Sequence, residues 1–137
     1  MNTRIQSYNR RHLEKRVGYS QAVLAGEFPF ISGCVSWDLE GKALYPGDFP
    51  AQVTAVYSDI DATLKAYGMA AADVIKETVF TTDMDALVAA NGKRMEYYQH
   101  STPPASTWVE IKRLVDPELL LEVEIVAFKK LPPSRPH

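Results

Sequence analysis

Hydrophobic and polar positions along this chain divide into five stretches of strand-like alternation and two stripes of helical period. Residues 17–25 and 28–37 read as two strands joined by a turn at Gly26-Glu27. In the second strand Ile31, Val35 and Trp37 point one way, while Ser32, Cys34 and Ser36 point the other, following Phe30. The first set is ordinary core. The small polar set suits either a solvent-facing surface or the wall of a small pocket. Residues 39–47 hold Gly41, Pro46 and Gly47 and read as a loop, with a short strand around Ala43.

Asp48 can cap a helix whose first turn holds Pro50, where no intrahelical N–H is needed. Val53, Val56, Ile60, Leu64 and Tyr67 form its apolar stripe, and Gly68 ends it. Residues 74–82 are strand-like. A second helix starts at Thr82 or Asp83, with a stripe of Met84, Leu87, Val88, Asn91, Met95 and Tyr98. Asn91 is the anomaly, because an amide inside an apolar stripe costs desolvation unless it is paired. A partner on a neighbouring backbone would explain it, and so would a place in a pocket. Residues 106–114 and 119–129 close the chain as two strands, with Leu121, Val123, Ile125 and Ala127 on one face of the last and Glu122 and Glu124 on the other.

This order predicts an α+β domain over residues 17–130, a sheet covered by two helices on one face. A chain of 137 residues has no second helical layer for the other face, so oligomerisation is expected to bury it. Residues 1–16 carry five basic groups against Glu14, and residues 17–137 hold ten basic against 16 acidic ones. The first segment reads as a solvated basic arm, with a short mitochondrial presequence as the other reading of its composition. Residues 131–137, with three prolines, read as a tail. An acidic body repels phosphate backbones, so nucleic acid is not the expected partner. No apolar run approaches the ~20 residues that cross a bilayer, and no secretory core is present at the N-terminus. The expected setting is cytoplasmic, without a membrane partner.

One cysteine excludes a disulfide framework, and His12, His100 and His137 have no ligand spacing, so no metal site is expected. Cys34 could act as a nucleophile beside a cation that lowers its pKa, or serve as inert packing. Tyr19 could close a pocket or complete a strand.

Several pieces, in order along roughly 110 residues, resemble the Rid family, also called the YjgF/YER057c/UK114 or L-PSP family. They are Gly18-Tyr19-Ser20-Gln21-Ala22-Val23, Ile31-Ser32-Gly33, the run from Asp73 to Phe80, Thr82-Asp83-Met84 with Asn91, the run from Val109 to Leu114, and Glu122-Val123-Glu124-Ile125. The resemblance implies a chorismate-mutase-like α+β fold and a homotrimer around a central barrel, with three clefts between neighbouring subunits. It also implies hydrolysis of reactive enamines and imines, such as 2-aminoacrylate, to keto acids and ammonia without a metal or organic cofactor. Carried over by position, the family's pocket falls on Tyr19, Ser32, Asn91, Ser106 and Glu122. Glu122 is the expected catalytic residue, orienting water. Its other reading is a strand-surface carboxylate, or a partner for a neighbouring subunit's base. Cys34 and Thr107 complete the candidate substrate-binding set.

This chain departs from the family in two places. Where the deaminating branch reads Pro-Ala-Arg-Ser, this chain reads Pro104-Ala105-Ser106-Thr107, so the arginine that grips the substrate carboxylate is replaced. The opening motif also lacks a proline between Gly18 and Tyr19. A charged hydrogen bond is worth ~1.5–3 kcal/mol, so binding of small imino acids is expected to fall ~10- to 150-fold unless another cation, Arg113 being nearest in sequence, fills in. Two function classes follow. The first is a cofactor-free imine or enamine hydrolase. The second is a non-catalytic trimer that binds a small metabolite, or protects other proteins, through the same cleft. An endoribonuclease role, which some relatives carry, is opposed by the acidic body.

Overall fold

The computed structural model describes residues 6–129, so residues 1–5, the last residue of the expected 17–130 domain and the tail expected over 131–137 lie outside the described residues. Six strands and four helices follow in the order β1 (Gln6–Tyr8), α1 (Leu13–Val17), β2 (Ala22–Ala25), β3 (Phe28–Cys34), α2 (Phe49–Ala66), β4 (Val74–Thr81), α3 (Met84–Ala89), α4 (Asn91–Tyr97), β5 (Ala105–Glu110) and β6 (Leu121–Ala127). The strands form one mixed sheet in the order β1-β2-β3-β6-β4-β5, antiparallel except for the parallel pair β4 and β5. That pair needs a crossover, which α3 and α4 supply.

Helix α2 forms as its pattern predicts. The Asp48 carboxylate accepts from the Ala51 N–H at 3.0 Å. Val53, Val56, Ile60 and Leu64 are fully buried against the strand residues Val79, Val123 and Ile125. Gly68, at φ 69°, closes the helix. Its N–H donates to Lys65 and that of Met69 to Leu64, which satisfies the last carbonyls.

Three expectations are corrected. Val17 belongs to α1, not to a strand, because Gly18 turns the chain at φ 102° and its N–H bonds the Glu14 carbonyl. Residues 6–16 are folded onto the domain rather than solvated. β1 pairs with β2, Glu14 is buried and accepts from the N–H groups of Arg10 and Arg11, and Arg11 is buried against Asp59 of α2 at 3.0 Å. The second long helix is two short ones, α3 capped by Asp83 and α4 starting after Ala90. The break turns the buried face by one residue, so Leu87, Arg94 and Tyr98 are buried while Val88 and Met95 are exposed.

The helices cover one face of the sheet. The other is lined by Phe28, Phe30, Phe80, Val109, Val126 and Phe128, with Phe28, Phe30 and Val109 exposed. Among the described residues no helix is long and apolar enough to cross a membrane.

Candidate functional site

A bulge in β3 decides which side chains can line a site. Ile31 pairs with Ile125 and Cys34 with Val123, a register shift that brings both Ile31 and Cys34 to the helix-covered face. Cys34 therefore leaves the pocket wall on which alternation placed it. It is buried in the core, its sulfur accepts from the Gln21 side-chain amide at 3.1 Å, and burial, then the Asp59 charge, pushes its thiol well above the ordinary range. A thiol so placed is packing, not a nucleophile.

Gly33 sits in the same bulge and makes room for Glu122. A Cβ at position 33 would collide with the Glu122 carboxyl, so a glycine is what lets this side chain lie across β3. Glu122 pairs with Phe80 and points away from the core face of Leu121 and Val123, onto the bare side of the sheet. Burial, with the Glu124 charge second, raises its carboxyl above the usual carboxylate range. Ser32 donates its hydroxyl to the Ser20 carbonyl at 2.6 Å, and its N–H bonds Gln21, which ties β3 to the segment holding Tyr19. Tyr19 is half-buried, its hydroxyl raised by burial and then by Glu14.

The remaining candidates gather elsewhere. Ser106 on β5 pairs with Glu77 on β4, and its hydroxyl donates to the Glu77 carboxylate at 2.6 Å. Glu77 is 0% exposed and also accepts from Tyr57 at 2.7 Å, Tyr98 at 2.9 Å and Arg94 Nε at 2.6 Å. Arg94 lies over the rings of Tyr98 and Trp108, and the Trp108 indole N–H donates to Ser106 at 3.0 Å. Asn91 accepts from Arg94 Nη1 at 3.4 Å, so the partner of this amide is a side chain in the Ser106 network. Thr107 points to the other face, where its hydroxyl accepts from Lys76 at 2.6 Å.

By element, the candidate residues fall into two half-sites: Ser32 on β3 and Glu122 on β6, with Tyr19 tied to Glu14 of α1, and Ser106 on β5 with Asn91 on α4. Ser106 and Glu122 are on opposite faces and two strands apart, about 10 Å at ordinary strand spacing. A single chain does not bring them together.

Glu77 and Arg94 were not singled out from the sequence, although both left a signal. Counting back by twos from Val79 gives Glu77 the core parity, and Arg94 stands three residues after Asn91 and four before Tyr98. Among the described residues no group of His, Cys, Asp and Glu is arranged to hold a metal ion.

The fold and these half-sites define a class: a mixed-sheet α+β domain with helices on one face and a seated carboxylate on the other. The sequence profile described as Endoribonuclease L-PSP matches residues 10–129. A RutC family protein of Pyrococcus horikoshii is 38% identical over 112 residues, 82% of this chain and 87% of its own. A protein of unknown function from Pseudomonas aeruginosa is 30% identical and superposes with a TM-score of 0.80, covering 93% of this chain and 94% of that one. E. coli TdcF, solved with bound serine, is 28% identical with a TM-score of 0.75, covering 82% and 88%. The chain belongs to the Rid (YjgF/YER057c/UK114, L-PSP) family.

Proposed function

We propose that this protein is a cofactor-free hydrolase of reactive enamines and imines, acting as a cytoplasmic homotrimer at clefts between neighbouring subunits. The observation that carries this reading is Glu122: a half-buried carboxyl of raised proton affinity, seated against Gly33 on the sheet face that no helix among the described residues covers. The bound serine of TdcF supports a ligand of small amino-acid size. In the proposed trimer, Ser106 and Asn91 of one subunit face Tyr19, Ser32 and Glu122 of the next, which unites the half-sites, while Thr107 on the other face of β5 stays outside the pocket.

The chemistry asks little of the protein. An enamine takes a proton at carbon and gives one up from nitrogen to become the imine, whose carbon is already electrophilic. Glu122 accepts a proton from water as the oxygen attacks, forming a carbinolamine, and returns it to nitrogen. Collapse to the carbonyl releases ammonia. A carboxyl whose pKa lies closer to neutrality than usual suits both directions of this transfer.

The substrate end is set by Ser106. A hydroxyl cannot neutralise a carboxylate, and the cation beside it, Arg94, is held by Glu77. This reading therefore favours imines that do not depend on a carboxylate grip. The same neutralised network supports the alternative, a non-catalytic trimer that binds a small metabolite or protects other proteins.

The test is release of ammonia and carbonyl product from freshly generated imines, from 2-aminoacrylate to bulkier and carboxylate-free analogues, against buffer. Acceleration is expected to be largest for substrates without a carboxylate, and Ser106→Arg is expected to raise acceleration of 2-aminoacrylate. Buffer rates across the whole panel, with saturable ligand binding, would establish the alternative.

A further inference from the structure

On the helix side of the sheet, away from Glu122, a cavity of about 740 Å³ opens between the N-terminal segment, the 37–48 loop and the outer side of α2. That volume falls within the range of small-molecule sites. Its wall is built rather than incidental. Arg11 pins the loop by donating to the Trp37 and Asp38 carbonyls at 3.2 and 2.8 Å, and its guanidinium lies 5.7 Å from the Trp37 ring centroid. Trp37 is half-buried there, braced by the Arg11 cation and packed against the small core cluster of Val35, Leu114 and Leu119, with its remaining surface on the cavity.

Tyr45 lines the same cavity and is the one non-glycine residue with positive φ, 56°, among the described residues. That backbone state disfavours a bulky residue, and glycine would hold the turn with less strain. The strain is maintained by the buried Gln52 amide, which donates to the Tyr45 carbonyl at 3.2 Å, and by the Asp48 N–H at 3.1 Å. The ring it carries is exposed. A turn held in a costly conformation to present an aromatic ring to a cavity points to a use for the ring.

The charges in the wall are of two kinds. The carboxylates are occupied: Asp59 by Arg10 and Arg11, Asp48 by the α2 cap, and Asp38 by the N–H groups of Glu40 and Lys42. The cations keep capacity. Arg10 spends its Nε on Asp59, yet its side chain is still 30% exposed, and Lys93 has only a 3.7 Å contact with Glu96.

We propose that this cavity binds a small planar aromatic anion, its ring against Trp37 and Tyr45 and its acidic group at Arg10 and Lys93. Binding here does not depend on imine hydrolysis in the proposed cleft, whose Glu122 lies on the other face of the sheet. The test is ¹H–¹⁵N NMR titration of the full chain with indole-3-acetate as carboxylate probe, adenosine 5′-monophosphate as phosphate probe and tryptophol as neutral ring, with Trp108→Phe assigning the two indole N–H signals. At least one anion is expected to shift the Trp37 indole N–H saturably, and tryptophol to bind at least ~10-fold more weakly. Lys93→Ala and Tyr45→Gly are each expected to weaken that anion ~10-fold, while Tyr45→Gly unfolds at the same or a higher temperature because glycine accepts the turn. No saturable shift from either anion would overturn the proposal. So would binding indifferent to Tyr45→Gly, or tryptophol binding as tightly as the anion.

Discussion

Ser32 and Cys34 stand two residues apart on β3, and simple alternation gives them one face. The bulge between Ile31 and Cys34 separates them, sending the thiol into the core and leaving Gly33 to receive Glu122. Native protein is therefore expected to leave Cys34 unmodified by an aromatic disulfide reagent until denaturant opens the core; rapid labelling without denaturant would contradict this burial. Glu122 makes a prediction of opposite kind. Its folded carboxyl has a raised pKa, so the protonated form fits the fold better, and the cost of the charge appears as pH rises from the ordinary carboxylate value through the raised one. Glu122→Gln is expected to melt above the parent at pH 8, with the difference vanishing below about pH 4. A difference that persisted in acid would mean that Glu122 is not strained by burial.

Among the elements, α2 was legible because every signal agreed: cap, proline, stripe and terminal glycine mark a helix that differs from the observed Phe49–Ala66 only at Tyr67, its C-terminal cap. The α3–α4 region was not, since one continuous stripe cannot report a break at Ala90 that hands the buried face from Met95 to Arg94. Glu77 on β4 carries the core parity counted from Val79, but a carboxylate reads as a surface residue until its buried partners Arg94, Tyr57 and Tyr98 are known. The pair of Glu77 and Arg94 joins these elements. Arg94→Met is expected to cost ~3–5 kcal/mol in urea unfolding, because it leaves a buried carboxylate without its cation. Glu77→Gln in the same chain is expected to recover part of that loss, a coupling that a double-mutant cycle reads directly. Additive losses would mean that the two act separately.

At the scale of the whole molecule, the fold class and the family followed from the order of the elements and the quoted motifs, whereas the fate of residues 6–16 did not. A run of basic residues looks solvated until Asp59 and Glu14 are known to be buried partners. The bare sheet face gives the proposed trimer its rationale, with exposed phenylalanines at positions 28 and 30 and the candidate residues divided between two half-sites. Light scattering is expected to give three times the 15.3 kDa chain mass, and Phe30→Asp to lower it toward the single-chain value. A parent monomer would remove the shared cleft.

Catalysis by Glu122 is decided by comparing the parent and Glu122→Gln for ammonia release from the imine that the parent hydrolyses fastest, with molar mass recorded on the same samples. The variant is expected to keep the parent's molar mass and to fall to the buffer rate. Equal rates in the two proteins would contradict that role.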